Sequence, residues 1–292
     1  MMHNSVGKIG SRRWPVFLLL LIGAPLALAQ QPAPQASPTA QAPATPEVHA
    51  RVTETLIDSS IKDDPAVDKM LAVYSPKVHE LDLVIGRLKG ELRKGGTGAG
   101  SLGNFVTDGM RWQASLKSGK PVTLALMNGG GLRRQNISEG ELRKRDIFEL
   151  LPFENALITV ELTGDQLKTL LNMILTSNEA QSGARIVYKT NADKKNEAES
   201  IKLREPGGEQ EIDPNKTYTI VTIDYLYSVG GPRYGILKEG KNMTALGITL
   251  RDAMMDYVKA ETAAGRDIKP NLDGRFNLDR ANSVLTGEAP PK

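Results

Sequence analysis

The chain has 292 residues, enough for one large domain or two small ones once a targeting segment is set aside. Its composition, 40% apolar and 24% charged, is that of an ordinary soluble globular protein, and the absence of cysteine excludes a disulfide scaffold, a thiolate nucleophile, a cysteine-ligated metal site and a lipid-modified N-terminal cysteine. The formal charge of +3 equals the charge of Lys8, Arg12 and Arg13 in the first 29 residues, so the remainder is neutral and has no bulk electrostatic means of holding a nucleic acid.

Residues 1–29 read as a secretory signal peptide. The three cations precede an apolar run over residues 16–29 that ends in Ala27-Leu28-Ala29, and Pro25 and the 14-residue length make the run short for a membrane span. Together with the lack of cysteine, this predicts a periplasmic or secreted protein with no membrane attachment after cleavage. Residues 30–46 contain five prolines and no charge, and read as a disordered linker. A connecting segment over 47–60, a folded domain over 61–277 and a flexible tail over 278–292 complete the expected organisation.

Within the domain, Asp64-Pro65 opens a helical pattern with Val67, Met70, Leu71 and Tyr74. It breaks near Pro76 and resumes through Val78, Leu81, Val84, Ile85 and Leu88, apolar residues spaced by three and four. A glycine-rich loop over 95–100 precedes Ser101, which is placed to cap a helix carrying Leu102, Phe105, Val106 and Met110. Residues 121–127 read as a buried strand and 128–131 as a turn. A strand over 156–162 leads into Thr163 and Gln166, which have capping-box spacing, with Leu167, Leu170, Leu171 and Ile174 on the buried face of the helix that follows. Further strands are predicted over 184–190, 200–203 and 218–222, and a last helix over 250–263. Helices and strands mix without regular alternation, which predicts the α+β class.

The inventory of catalytic groups is thin. Of three histidines, His3 leaves with the signal, His49 lies at the edge of the linker and His79 sits on an amphipathic helix. This is too few for a two-metal hydrolase site and gives no histidine near a nucleophile turn. No phosphate loop of the GxxxxGK[ST] type is present. The residues by themselves describe a binding domain.

Four stretches carry recognition chemistry. Gly103-Asn104-Phe105-Val106-Thr107-Asp108-Gly109 opens a helix. Asn128-Gly129-Gly130-Gly131-Leu132-Arg133 follows a strand, where a triple glycine lets a ligand approach bare backbone N–H groups and Arg133 adds either a cationic fork or a solvent-facing turn residue. Leu151-Pro152-Phe153-Glu154-Asn155 offers an aromatic on a loop, either core or a platform for a planar ligand, and an asparagine that either meets a base edge or closes a turn. Tyr218 to Leu226 ends before Gly230-Gly231, with Tyr225 or Tyr227 as the exposed ring.

In this order these stretches resemble the C-terminal, substrate-recognition domain of the 5′-nucleotidase and UDP-sugar hydrolase family, over about residues 61 to 276 and including the closing Asp273-Gly274-Arg275. The resemblance implies that Phe153 and Tyr225 sandwich a base and that Asn155 contacts the base edge. It also implies that Asn128 and Arg133 are polar contacts in the glycine loop and that Gly130 and Gly131 allow close approach. Two departures stand out. Where the family usually has an arginine before Gly103-Asn104, this chain has glycines, with Arg93 and Lys94 the nearest cations. The aspartate that grips ribose hydroxyls aligns with Pro232, leaving Arg134 and Arg233 as nearby substitutes.

Relatives also carry an N-terminal metallophosphatase domain, for which this sequence shows only signal and linker. The resemblance therefore implies nucleotide recognition without cofactor or catalytic residue in this chain, divalent metals entering only with a separate metallophosphatase subunit. A nucleoside-binding or sensing module without a hydrolytic partner, and a scaffold retained for protein contacts, are the alternatives.

Overall fold

A computed structural model describes residues 50–281 and Ser283. The expected signal, the linker, the start of the connecting segment and most of the tail lie outside the described residues. The chain divides into two units at Ile61/Lys62. The described part of the first, residues 50–61, contains no helix or strand.

In the second unit the chain runs through α1 (Pro65–His79), β1 (Val84–Leu88), β2 (Leu92–Arg93), α2 (Gly100–Ser118), β3 (Leu124–Met127), β4 (Asn136–Ile137), β5 (Gly140–Arg143) and α3 (Lys144–Leu150). It continues through β6 (Ala156–Thr163), α4 (Gly164–Thr176), β7 (Ala180–Ser182), β8 (Ala184–Thr190), β9 (Asn196–Glu205), β10 (Gly208–Glu211), β11 (Thr217–Ile223), α5 (Asp224–Ser228), β12 (Lys241–Thr249), α6 (Leu250–Ala263) and β13 (Phe276–Leu278). This is the α+β architecture that the sequence predicts.

The central sheet has the order β12-β6-β11-β3-β7. Strand β3 is apolar and buried at every position, as a strand covered on both faces must be. It pairs parallel with β11, Val221 opposite Ala125, while β6 pairs antiparallel with β11, Ile223 opposite Leu157. The C-terminal ends of β3 and β11 and the N-terminal end of β6 therefore meet at one edge of the sheet. A second sheet, β10-β9-β8-β13, joins the last strand to β8 in parallel. Helix α4 opens as the capping-box spacing predicts: the Thr163 hydroxyl accepts from Gln166 N–H at 3.3 Å and the Gln166 side chain accepts from Thr163 N–H at 2.9 Å. Its buried face carries Leu167, Leu170, Leu171 and Ile174.

Four expectations are corrected. The helical pattern over residues 78–88 is a short 3₁₀ turn, Glu80–Asp82, followed by strand β1. Gly86 presses against α6 so closely that a Cβ would lie 2.6 Å from Val258 Cγ1, and β1 pairs with β5, so tertiary packing overrides the three-and-four spacing. Pro76 does not break α1, which runs through it to His79. Ser101 is not a cap: α2 starts one residue earlier, and the Ser101 hydroxyl accepts from Arg93 N–H at 2.9 Å. The boundary drawn at residue 277 falls inside β13, and beyond it Asp279 N–H donates to Tyr188 O at 2.7 Å and Thr190 N–H to the Ser283 hydroxyl at 3.1 Å.

Asp273-Gly274-Arg275 is a structural knot. The buried Arg275 guanidinium donates to Asp273, to Asp108 at 3.0 Å and to Gln181 O at 2.9 Å, and Arg204 also pairs with Asp273. Burial alone would raise the Asp273 carboxyl, but the two guanidinium groups outweigh it and hold its pKa at about 2. Because the folded value lies below the unfolded one, this stabilisation is complete above about pH 4 and is lost as pH falls through about 2. Acid unfolding monitored by circular dichroism is expected to shift to higher pH in Asp273→Asn, with lower stability at neutral pH; an unchanged acid midpoint contradicts the assignment.

Candidate functional site

The glycine loop starts where β3 ends. Asn128 keeps extended backbone angles and caps a single 3₁₀ turn, Gly129–Gly131. Four of the loop's N–H groups are not bare, contrary to the sequence expectation. Gly129 N–H donates to Glu179 Oε2 at 2.7 Å, Gly131 N–H to Asn128 O at 3.0 Å, Leu132 N–H to Gly129 O at 3.2 Å and Arg133 N–H to Leu150 O at 2.9 Å. At Gly131 a Cβ would lie 2.3 Å from Met127 Cε, so the missing side chain makes room for the core. Gly130 is exposed and unobstructed. Asn128 Oδ1 is buried without a hydrogen-bond partner among the described residues.

The aromatic loop is held by a residue that periodicity does not flag. Arg251, on α6 and 9% exposed, donates from Nε to Leu151 O at 3.1 Å and from Nη2 to Pro152 O at 3.0 Å, while its Cζ stacks 4.2 Å from the Phe148 ring centroid. These bonds fix residues 151–154 and leave Phe153 49% exposed. The Arg133 guanidinium lies 5.9 Å from the Phe153 ring centroid. Asn155 O accepts from Leu250 N–H at 2.8 Å, which ties the loop again to the start of α6 and leaves the Asn155 amide half-buried.

The opposite wall comes from β11 and α5. Asp224 Oδ1 accepts from Tyr225 N–H at 2.8 Å and from Ala156 N–H at 3.1 Å, so one carboxylate fastens the start of α5 to the start of β6. Tyr225 is 48% exposed and is the ring that faces the site; Tyr227 is half-buried and packs on the core.

These walls enclose a cavity of about 370 Å³ lined by Asn128, Gly130, Gly131, Arg133, Phe153, Asn155, Ile223 and Tyr225. All seven predicted site residues line it, and Ile223 is the addition. Two half-exposed rings, an apolar floor, a cation and two amides suit a planar ligand with a polar edge and a hydroxylated or anionic appendage. The suggested substitute cations do not line it: Arg134 pairs with Asp146 at 2.8 Å and Glu149 at 3.2 Å, and Arg233 lies 3.7 Å from Glu179. Of the other two, Arg93 pairs with Glu91 at 2.5 Å and Lys94 Nζ donates to Leu132 O at 2.9 Å. Gly98, Gly100 and Gly103 also have GxGxxG spacing, but here the glycines serve packing: a Cβ on Gly100 would lie 2.6 Å from Arg93 O, and one on Gly103 2.3 Å from Gly98 O. Among the described residues no three His, Asp or Glu side chains converge, so they do not fit a metal pair.

Comparison with known proteins agrees with this geometry. The family described as 5′-nucleotidase, C-terminal domain, matches residues 84–239, more than half of the chain. The chain belongs to this family. It is 27% identical over 184 residues to the trifunctional nucleotide phosphoesterase YfkN of Bacillus subtilis, covering 60% of this chain and 12% of that protein. It is 28% identical to the cell wall protein Lmo0130 of Listeria monocytogenes, covering 60% and 23%. Among solved structures, the 5′-nucleotidase precursor of Thermus thermophilus superposes with a TM-score of 0.61 at 25% identity, over 73% of this chain and 43% of that one. The chain thus spans less than half the length of each of these relatives. Among the described residues, no helix is long and apolar enough to cross a membrane.

Removing the Arg251 clamp tests how the aromatic loop is held. Arg251→Met keeps the aliphatic stem but strands two carbonyls, and is expected to lower stability by about 2 kcal/mol in denaturant unfolding. It should also speed amide exchange across residues 151–155. Exchange at the wild-type rate there contradicts the clamp.

Proposed function

We propose that this domain recognises a nucleoside or nucleotide and serves phosphate-ester hydrolysis in nucleotide catabolism or salvage, as an exported protein. The observation that carries this reading is the single cavity that unites Phe153, Tyr225, Asn128, Asn155 and Arg133. Each ring that stacks on a base contributes about 1–3 kcal/mol, largely independent of base identity. Asn128 lines the same cavity, and an asparagine amide can both donate to and accept from a base edge or a ribose hydroxyl. Arg133 has no carboxylate within ion-pair reach among the described residues; its exposed guanidinium makes one long bond, from Nη1 to Gly130 O at 3.4 Å, and can meet an anionic appendage.

The described residues offer no site for a metal pair, so no step of phosphate transfer is assigned to them. In this reading the chain positions the nucleotide, and a separate metallophosphatase chain brings the divalent metals and the attacking water. The match to the trifunctional nucleotide phosphoesterase YfkN supports a nucleotide as the ligand. The cell wall relative and the predicted leader support export.

A second reading, a nucleoside-binding or sensing module without hydrolysis, has its own support. Gly129 N–H is already held by Glu179, which places a buried carboxylate behind the loop. Pro232 stands where the family has an aspartate, and Arg134 and Arg233 are engaged elsewhere. All three features weaken the reading of phosphate and ribose while leaving the base contacts whole.

Calorimetric titration of the protein with adenosine, AMP and a UDP-sugar separates these outcomes. Phe153→Ala is expected to weaken binding by about tenfold or more, the loss of one stacked face; wild-type affinity in that variant contradicts the reading. Tighter binding of AMP than of adenosine supports the hydrolytic partnership, and equal affinity supports the sensing module. The purified chain is expected to release no phosphate from AMP with Mg²⁺, Mn²⁺ or Zn²⁺, and metal-dependent turnover would overturn the two-chain arrangement.

A further inference from the structure

Glu179 lies outside the cavity, yet it bonds both to Gly129 in the glycine loop and to Tyr234 in the segment after Tyr225. Helix α4 ends in a Schellman motif: Asn178 adopts left-handed backbone at φ +56°, its N–H donates to Leu175 O at 3.3 Å, and Glu179 N–H donates to Ile174 O at 2.9 Å. That ending turns the chain into β7 and fixes the Glu179 backbone directly behind the glycine loop. The side chain is 5% exposed, in a place where a carboxylate persists only if its oxygens are satisfied.

Both oxygens are used. Oε2 accepts from Gly129 N–H at 2.7 Å, and Oε1 accepts from the Tyr234 hydroxyl at 2.6 Å. Arg233 sits 3.7 Å from Oε1 at the solvent edge and offsets part of the charge. Tyr234 is buried and belongs to the segment that follows Tyr225. Gly230 packs between the two, where a Cβ would lie 2.5 Å from Leu226 O and 2.7 Å from the Tyr234 ring. Burial first, and then the bond to Glu179, raise the Tyr234 phenol well above its ordinary pKa, so it stays a donor across the physiological range. One carboxylate therefore links the loop of Asn128 and Arg133 to the segment that seats Tyr225.

We propose that Glu179 is a positioning residue of the pocket, acting through Gly129 and Tyr234 to set the separation of the glycine loop from the Tyr225 wall. It touches no ligand. Its effect is on where Asn128 and Arg133 stand relative to the Tyr225 ring, in the way that supporting hydrogen bonds lock the groups that contact a ligand. This inference rests on the nucleoside-binding reading for its ligand, but the coupling itself is measurable without one.

The test combines adenosine titration with amide exchange of Gly129 to Leu132 in the full chain. Glu179→Ala is expected to weaken adenosine binding by about tenfold, the equivalent of a lost buried hydrogen bond, and to speed exchange in the loop. Glu179→Gln can still accept from Gly129 N–H and donate to the Tyr234 oxygen, and is expected to bind within about threefold of wild type. Tyr234→Phe, which cuts one arm, falls between them. Val258→Ala, in the core against α6, should lower the melting temperature without changing affinity, which separates positioning from general destabilisation. Wild-type affinity and exchange in Glu179→Ala would overturn the proposal, as would a Gln variant as impaired as the Ala variant. Should Glu179→Ala not fold, Glu179→Gln and Tyr234→Phe decide the matter. If wild type binds no nucleoside, the functional reading fails while the exchange data still accept or reject the coupling.

Discussion

Parallel pairing of β3 with β11, together with antiparallel pairing of β11 with β6, is the constraint from which the candidate site follows. Strand direction alone brings the exit of β3, the exit of β11 and the entry of β6 to one edge of the sheet. Asn128 leaves the first, Tyr225 follows the second, and Phe153 and Asn155 precede the third. A register slip of one residue would turn the buried side chains of β6 to the opposite face and carry Asn155 with them. Strand β3 is apolar and buried at every position, and a few hydrogen-bonded charged groups, Arg251 and Glu179 buried among them, fasten the loops at the sheet's edge.

Those groups share a design. Arg251 holds the carbonyls of the Phe153 loop, Asp224 joins the starts of α5 and β6, and Glu179 joins the glycine loop to Tyr234. Arg251 and Asp224 bond chiefly to backbone and fix main-chain paths, while Glu179 bonds one backbone N–H and one phenol. A buried charge bonded in this way is costly to leave unpaired, which gives the loops one stable arrangement instead of several. The two rings are thereby kept half-exposed at the pocket mouth instead of collapsing into the core.

How much of this is legible in the sequence divides along physical lines. Elements governed by local chemistry can be read directly: the Thr163–Gln166 capping box, the strand over residues 184–190 and the helix over 250–263 follow from patterns within one element. All seven residues taken from motif resemblance line one cavity, because the motif fixes both their types and their loop positions. What the sequence hides is tertiary. Val84 to Leu88 has helical spacing and forms a strand because Gly86 fits against α6 and Gly140–Arg143 is available to pair. Glu179 and Arg251 look like ordinary charged residues at helix ends, and only burial reveals their use. Of the N–H groups expected to be bare in the triple glycine, that of Gly129 is taken by Glu179, 50 residues away, and that of Gly131 by Asn128 O within the turn.

The electrostatic balance of the site follows from the same bonds. A carboxylate behind the glycine loop engages the Gly129 amide, while the exposed Arg133 guanidinium lines the cavity in front of it. The central claim is that Phe153 and Tyr225 hold a planar base between them, and a crystal structure with adenosine tests it most directly. The account predicts the purine between the two rings with its polar edge toward Asn128 and Asn155. A nucleoside bound elsewhere, or rings packed against each other with the cavity closed, would contradict it.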